Sequence, residues 1–264
     1  MARVGTNRRG CRVRRAIDAL AASLGLLAFA PILILASVAV WLQDRGSPLY
    51  LSIRIGREGT PFRLVKLRSM VLGASNSGVD TTIASDPRVT WAGGMLRRLK
   101  LDELPQLWNV VAGHMSLVGP RPNVPREVAR YTTSEREQLS VRPGLTDLAS
   151  IVFADLDKIL ADSSDPNGDY GVRIRPWKSR LGLIYVRHRS LRLDLEILGL
   201  TLVRAVSRRA ALRGVEALLT RLGATAELRR TVHELRDGVA PAAAAAPGAG
   251  SEPSQPAAAL SRGA

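Results

Sequence analysis

Cysteine and aromatic residues are scarce in this chain of 264 residues. It has one cysteine, Cys11, and only 4% aromatic residues. A single cysteine excludes an internal disulfide framework, so nothing in the composition indicates an oxidising compartment. The three histidines are far apart and form no zinc-type spacing with that cysteine. Walker A and Gly-x-Gly-x-x-Gly motifs are absent, which argues against a P-loop kinase and a dinucleotide-dependent enzyme.

Acidic residues are too few to balance the basic ones. The chain has 38 Lys and Arg against 23 Asp and Glu, a formal net charge of +15. This excess predicts an anionic partner, either nucleic acid or an anionic membrane surface. The membrane is favoured, because the uncharged stretch Ala19–Leu42 is long enough to cross a bilayer core of ~30 Å. Nucleic acid is therefore not expected as a partner.

Pro31 divides the uncharged stretch. Proline removes a main-chain donor, so the helix is predicted to break or kink there, and neither arm alone would cross the bilayer at ~1.5 Å per residue. Arginines precede the stretch and basic residues follow it, so both flanks have the composition of cytoplasmic segments. The preferred prediction is a re-entrant helix-break-helix over residues 14–45, behind a basic segment at 1–13. A kinked transmembrane helix is the alternative.

Two adjacent carboxylates, Asp102 and Glu103, lie between a cationic stretch and an apolar segment. The apolar residues recur at helical spacing: Leu104, Leu107, Trp108 and Val111. This spacing places the pair at the start of a helix that packs on one side. A helix start favours carboxylates and also receives phosphate oxygens, but an Asp there is often only an N-cap. Both interpretations stay open on these residues alone.

Two arginines stand beside prolines, Arg121 in Gly119–Pro122 and Arg142 in Arg142-Pro143-Gly144. A stiff backbone reduces the entropy lost when a guanidinium binds an anion. For each arginine, an ordinary rigid turn is the alternative.

Upstream, residues 46–70 read as short extended pieces, and Phe62–Arg68 alternates apolar and basic side chains. That alternation predicts a strand with a cationic face.

The C-terminal part is basic and then low in complexity. Residues 190–237 predict a basic amphipathic helix or pair of helices, of which 204–237 form an extension. One helix face carries four leucines: Leu191, Leu195, Leu198 and Leu202. These leucines would pack either in a core or on anionic lipid, and the sequence pattern does not distinguish the two alternatives. Residues 238–264 are rich in Ala and Pro and are predicted to be disordered.

Several motifs in one order resemble the bacterial sugar transferase family, the monotopic polyprenyl-phosphate phosphoglycosyl transferases. The resemblance runs from about Arg14 to about Val203. Besides the broken N-terminal hairpin, the motifs are Lys66-Leu67-Arg68-Ser69-Met70, Asp86-Pro87-Arg88, Leu101-Asp102-Glu103-Leu104-Pro105-Gln106-Leu107-Trp108-Asn109, Met115-Ser116-Leu117-Val118-Gly119-Pro120-Arg121-Pro122 and Val141-Arg142-Pro143-Gly144. The chain departs from the family pattern at Ala30, at His114 and over Asp147–Phe153.

The resemblance implies a mixed α/β, mostly helical protein with a small cytosolic catalytic domain at 46–203 and amphipathic interfacial helices. It further implies a location on the cytoplasmic face of the bacterial inner membrane. The implied reaction moves a phospho-sugar from a UDP-sugar to undecaprenyl phosphate, with membrane lipid as surroundings, and starts a surface glycan such as an exopolysaccharide. A homodimer is compatible with this. A catalytically idle membrane scaffold is the alternative function.

The resemblance also implies roles for particular residues. Asp102 would be the nucleophile that carries a covalent phospho-sugar, and Glu103 would assist it. Mg²⁺, or Mn²⁺ in its place, would be held by Asp102 and Glu103, since magnesium prefers carboxylate and phosphate oxygens. Arg97, Arg121 and, with less support, Arg142 would bind the phosphates.

Overall fold

The computed structural model describes residues 8–74, 86–160 and 165–241. It is mixed α/β and mostly helical, as the sequence predicts. The strands are β1 (Leu49–Ile55), β2 (Pro61–Leu67), β3 (Ser116–Val118) and β4 (Gly144–Thr146). The helices are α1 (Arg8–Asp44), α2 (Trp91–Arg98), α3 (Gln106–Val111), α4 (Pro125–Ala129), α5 (Leu148–Val152), α6 (Leu156–Ile159), α7 (Pro166–Asp169), α8 (Arg175–His188), α9 (Leu191–Val206), α10 (Arg208–Arg221) and α11 (Ala226–Arg236). Tighter 3-10 turns cover Arg57–Gly59, Leu101–Glu103 and Glu135–Ser140, and a π turn covers Tyr170–Ile174.

Helix α1 continues through Pro31, so the prediction of two helices separated by a break is wrong at the level of secondary structure. Proline removes only its own donor, which leaves the carbonyl four residues earlier without its helical partner, while the bonds on both sides persist. The helix also begins at Arg8, inside the segment predicted as a separate basic region. Within the described residues, α1 is the one helix long and apolar enough to cross a membrane, and many of its large apolar side chains are exposed.

The rest of the chain contacts α1 on both sides of its apolar stretch. Before the stretch, Nη1 and Nη2 of Arg15 donate to the carbonyls of Val110 and Val111, each at 2.6 Å. After it, Nη2 of Arg68 donates to Oδ1 of Asp44 at 2.6 Å. Small side chains within the stretch are buried against the same body, namely Ala22, Ala36 and Val40. Helix α1 is therefore docked along its length.

Strands β1 and β2 form an antiparallel hairpin, which confirms the extended segments expected over residues 46–70. The side chain of Asn109 in α3 fastens this hairpin. Its Oδ1 accepts from the main-chain N–H of Val65 at 2.9 Å, and its Nδ2 donates to the carbonyl of Arg63 at 2.7 Å. Asn109 thus satisfies two main-chain groups of β2 and sets the distance between β2 and α3.

Strands β3 and β4 form a short parallel pair, in which Ser116 lies opposite Gly144 and Val118 opposite Thr146. The chains approach so closely beyond β3 that a methyl group on Gly144 would lie 2.0 Å from the main-chain nitrogen of Gly119. Only glycine fits at this crossing, because any Cβ would overlap the facing backbone. The pair delivers the Pro120–Pro122 segment to a defined place.

The C-terminal region holds three helices rather than the one or two expected. Helices α10 and α11 pack on α5, α8 and α9 and share the largest core cluster with them, so residues 204–237 are part of the main body. The face of α9 behaves differently: Leu191, Leu195 and Leu202 are exposed and Leu198 is partly buried. Most of that face is therefore free of the core. Apart from residues 238–241, the segment predicted to be disordered lies outside the described residues.

Candidate active site

Asp102 and Glu103 lie in the 3-10 turn Leu101–Glu103, between α2 and α3. The chain reverses at Lys100, whose backbone is left-handed with φ 58°, a conformation that costs a non-glycine residue ~1 kcal/mol. The reversal leaves Lys100 exposed and turns Asp102 inward, where it is 7% exposed. The strained backbone of Lys100 therefore accompanies the burial of the Asp102 carboxylate beside that of Glu103.

Helix α3 begins later than the spacing suggested. It starts at Gln106, and Pro105 is its N-cap. Its buried apolar residues are Leu107 and Val110, while Trp108 is exposed, so the predicted stripe is wrong at that position. Neither the 3-10 turn nor α3 has a side-chain cap bond, and Asp102 is not at either N-cap position. The structure therefore excludes the helix-cap interpretation of Asp102.

The carboxylate of Asp102 accepts no hydrogen bond from any side chain or main-chain group that the structure describes. Burial raises its pKa above the ordinary value, and the neighbouring charge of Glu103 raises it further. The positive charges of Lys66, Arg97 and Lys100 act in the opposite direction. Asp102 is consequently a largely desolvated carboxylate whose oxygens are not engaged by any described protein group.

Glu103 is held by two cations. Nη1 of Arg121 donates to Oε2 at 3.1 Å, Nη2 donates to Oε1, and Nζ of Lys66 lies 3.4 Å from Oε1. Burial alone would raise the pKa of Glu103, but the charges of Arg121 and Lys66 outweigh it and hold the pKa well below the usual range. Glu103 is therefore ionised and fixed in orientation.

Arg121 owes its position to the strand crossing and to Asp147. Its main-chain N–H donates to Oδ2 of Asp147 at 3.3 Å, and Gly144 donates to the carbonyl of Pro120 at 3.0 Å. Oδ1 of Asp147 also accepts from Ser150 at 2.6 Å, as the N-cap of α5. The divergent segment that begins at Asp147 thus supports the Arg121 backbone.

Positive charge exceeds negative charge around this pair. Burial lowers the pKa values of Arg54, Lys66 and Lys178, and the charge of Arg121 lowers each of them further. The pKa of Arg121 itself is raised, mainly by Glu103. Buried cations that repel one another favour an anionic ligand. The arrangement is suited to binding a phosphate-bearing molecule.

The other predicted phosphate ligands are placed differently. Arg97 is at the end of α2 and acts on Asp102 through its charge. The guanidinium of Arg142 donates from Nε to the carbonyl of Gly113 at 3.0 Å, so its contact supports the loop after α3. Sequence reasoning did not select Lys66, Arg54, Asp147 or Lys178. The alternation of Phe62–Arg68 offered a signal for Lys66, whereas Lys178 has none in its local sequence.

The carboxylate pair fits a hard divalent cation. The described residues contain no group of three or more His, Cys, Asp or Glu side chains placed to hold a metal. Mg²⁺ does not require one, because it is commonly bound by one or two carboxylates together with substrate phosphates and water. Asp102 has no hydrogen-bonded partner among the described residues, and Oε2 of Glu103 keeps a lone pair beside the bond that it accepts from Arg121, so both carboxylates could take part in such a site. These two residues would hold it.

A carboxylate pair among cations, beside an apolar helix of membrane-crossing length, suits a protein that binds phosphate-bearing molecules at a membrane surface. Comparison with known proteins identifies the group. The chain belongs to the bacterial sugar transferase family, whose profile matches residues 9–208. The match covers α1, the carboxylate pair and helices through α9.

Three relatives illustrate the similarity. The exopolysaccharide production protein ExoY of Rhizobium meliloti is 39% identical over 157 residues, which are 54% of this chain and 70% of ExoY. The UDP-glucose:undecaprenyl-phosphate glucose-1-phosphate transferase of Caulobacter vibrioides is 41% identical over 141 residues, 52% of this chain and 53% of the relative. The undecaprenyl-phosphate glucose phosphotransferase of Komagataeibacter xylinus is 37% identical over 209 residues, 75% of this chain and 36% of the relative. The chain thus spans from about a third to 70% of these proteins.

Proposed function

We propose that this protein transfers a sugar 1-phosphate from a UDP-sugar to undecaprenyl phosphate and so begins the assembly of an exopolysaccharide or another surface glycan. Two relatives named as transferases of glucose phosphate to undecaprenyl phosphate support a sugar phosphate and this lipid as substrates. ExoY, named as an exopolysaccharide production protein, supports a place in exopolysaccharide synthesis. The observation that carries the proposal is the buried Asp102 carboxylate, which accepts no hydrogen bond from a described group and is adjacent to Glu103, fixed by Arg121.

The proposed reaction has two displacements at one phosphorus atom. An oxygen of Asp102 attacks the β-phosphorus of the UDP-sugar, the bond from that phosphorus to the bridging oxygen breaks, and UMP leaves with the bonding electrons. A phosphate oxygen of undecaprenyl phosphate then attacks the acyl phosphate. This second step forms the lipid diphosphate sugar and frees the Asp102 carboxylate, so no other reactant is needed.

Surrounding residues would favour the first displacement by neutralising charge. Arg121 and Lys66 already face the pair, and Arg97 acts on Asp102 from α2. Their positive charges would bind the phosphate oxygens and stabilise the negative charge that moves to the leaving nucleotide. Mg²⁺ held by Asp102 and Glu103 would supply further screening of the diphosphate. Glu103 would orient that arrangement through its fixed oxygens.

The docking of α1 supports a monotopic arrangement, and the basic residues on both flanks of its apolar stretch support the cytoplasmic face of the inner membrane. A helix crossing the bilayer would place its two flanks on opposite surfaces, ~30 Å apart. Here Arg15 and Asp44, on the two sides of the apolar stretch, both contact the same body of the protein. The exposed leucines of α9 would provide a second apolar contact with the interface. The acceptor phosphate would then meet Asp102 at headgroup depth.

The test is the identity of the nucleotide released. Purified protein in lipid nanodiscs with Mg²⁺, undecaprenyl phosphate and a panel of UDP-sugars is expected to release UMP. Without acceptor, it should exchange labelled UMP into the UDP-sugar, because the first step is reversible. Asp102→Asn should abolish both reactions, while Asp237→Asn, a change to an exposed carboxylate, should abolish neither. Release of UDP would contradict the proposal, and absence of turnover and exchange with every donor would favour the idle scaffold.

A further inference from the structure

The part of α1 that precedes the apolar stretch is tied to the short strand β3. Arg14 and Asp18 are four residues apart on α1, so their side chains lie on one face of the helix, and both residues are buried. Oδ2 of Asp18 accepts from the hydroxyl of Ser116 at 2.5 Å, and its Oδ1 accepts from the main-chain N–H of Leu117 at 3.4 Å. Asp18 therefore holds the beginning of β3.

The end of β3 is held by the hydroxyl of Tyr185, a buried residue of α8. The hydroxyl oxygen lies 2.9 Å from the carbonyl oxygen of Val118 and 2.9 Å from Oδ1 of Asp194. It accepts from Nη2 of Arg14 at 2.7 Å, and the same Nη2 pairs with Oδ2 of Asp194. Helices α1, α8 and α9 thus meet at one hydroxyl group.

The hydroxyl of Tyr185 has one proton to donate, and two acceptors lie within its reach. Burial raises the pKa of Tyr185, so the hydroxyl keeps that proton. The Asp194 carboxylate is neutralised by the guanidinium of Arg14, which leaves the proton for the carbonyl of Val118. Without Arg14, the unpaired carboxylate would be the stronger acceptor and would draw the proton away.

The carbonyl held by Tyr185 belongs to a residue close to the active site. Val118 is three residues before Arg121, and prolines flank Arg121 on both sides, which stiffens the segment between them. The N–H of Gly119 donates to the carbonyl of Thr146 at 3.1 Å. A displacement of Val118 is therefore passed along a constrained chain to the Arg121 guanidinium, which donates to Glu103 through both terminal nitrogens.

We propose that Tyr185 is a positioning residue for the reaction, because its hydrogen bond to Val118 sets the place of Arg121 opposite Glu103. Arg14 serves by keeping the hydroxyl proton on that bond. This inference rests on the proposed function and deepens it, since it connects the docking of α1 to the geometry of the active site. A role limited to folding predicts a lower stability with an unchanged reaction rate in the folded protein.

The first experiment is a double-mutant cycle between Tyr185 and Arg121, with UMP release as the readout. Tyr185→Phe is expected to lower kcat/KM for the donor by about 10-fold to 100-fold, the size expected from a small misplacement of a group at the reacting centre. In an Arg121→Met background the same change should have almost no further effect, because the residue through which it acts is gone.

Ser179→Ala is the matched control for this cycle. It removes another buried hydroxyl from α8, one that donates to Glu135 at 2.7 Å and has no contact with β3. The donor kcat/KM should stay within about twofold in both backgrounds, because a distant and independent site does not act through Arg121.

The second experiment measures hydrogen–deuterium exchange, which needs no turnover. Peptides that contain residues 116–122 should exchange faster in Tyr185→Phe and in Arg14→Met than in the wild-type protein. Asp194→Asn added to Arg14→Met should restore slow exchange, because the neutral amide no longer competes for the hydroxyl proton. Ser179→Ala should leave the exchange of this segment unchanged.

Three results would overturn the inference while leaving the proposed function intact. The first is a kcat/KM that Tyr185→Phe leaves unchanged or lowers equally in the two backgrounds, and the second is wild-type exchange over residues 116–122 in Tyr185→Phe. The third, which applies even if Tyr185→Phe does not fold, is a failure of Asp194→Asn to reverse the effect of Arg14→Met. Failure of the proposed function looks different, because the wild-type protein would then release no UMP from any donor.

Discussion

Glu103 accepts hydrogen bonds from both terminal nitrogens of Arg121. The two residues come from separate parts of the fold, the turn before α3 and the segment after β3. Their pairing fixes the carboxylate that would otherwise compete with Asp102 for the same cations. Asp102 is left without a hydrogen-bonded partner among the described residues, so the two adjacent carboxylates differ: Glu103 is fixed by Arg121 and Asp102 is not.

Loss of the Arg121 guanidinium should reduce catalysis more than it reduces folding. Arg121→Met is expected to lower kcat/KM for the donor by about 10²-fold to 10³-fold, the usual effect of removing one preorganised donor to a developing charge. Arg121→Lys should recover part of that loss, because it keeps the positive charge. The recovery should be incomplete, because lysine cannot form the bidentate contact of the guanidinium. Steady-state UMP release provides the measurement, and wild-type rates in Arg121→Met would refute the role.

Asn109 should stabilise the contact between β2 and α3. Asn109→Leu leaves the N–H of Val65 and the carbonyl of Arg63 without their partner, at a cost of ~1–3 kcal/mol for each buried group. The expected result is a clear fall in the thermal unfolding midpoint in detergent. Asn123→Ala, which removes one hydrogen bond to the Tyr131 hydroxyl, should cost less. Equal losses would show that Asn109 has no special part in the docking.

The close approach of Gly144 to Gly119 predicts that a side chain at position 144 destabilises the protein, and Gly199 provides a control. Gly144→Ala would place a methyl group 2.0 Å from the nitrogen of Gly119, so the strands must separate and Arg121 must shift; we expect a loss of ~3 kcal/mol or more. Gly199→Ala, in α9, meets nothing within 4 Å and should stabilise the helix by ~0.5–1 kcal/mol. Unfolding midpoints of both variants test the contrast. A tolerated Gly144→Ala would mean that the crossing is looser than described.

The single native cysteine offers a test of topology. Cys11 precedes the apolar stretch, and a cysteine introduced at Ser47 in a Cys11→Ser background follows it. The monotopic arrangement predicts that a membrane-impermeant thiol reagent labels both positions in inside-out vesicles and neither in intact cells with a permeable outer membrane. Labelling from opposite sides would establish a transmembrane helix.

Local sequence predicted the elements that depend on neighbours in the chain. The long apolar helix, the extended pieces of residues 46–70 and the helical C-terminal region follow from periodicity and hydropathy. The same reasoning placed Trp108 in a buried stripe and divided α1 at Pro31. Both predictions were wrong, because burial depends on what lies opposite a helix, and because Pro31 removes one helical hydrogen bond while the bonds on both sides of it persist.

The sequence by itself determined the family, the adjacent carboxylates of Asp102 and Glu103, and the apolar stretch of α1, since each is written in consecutive residues. Only the tertiary structure decided that Glu103 pairs with Arg121 and Lys66 and that both flanks of α1 dock on one body. These relationships join residues far apart in the chain. They arise from strand register, close backbone approach and packing, which local composition and spacing do not specify.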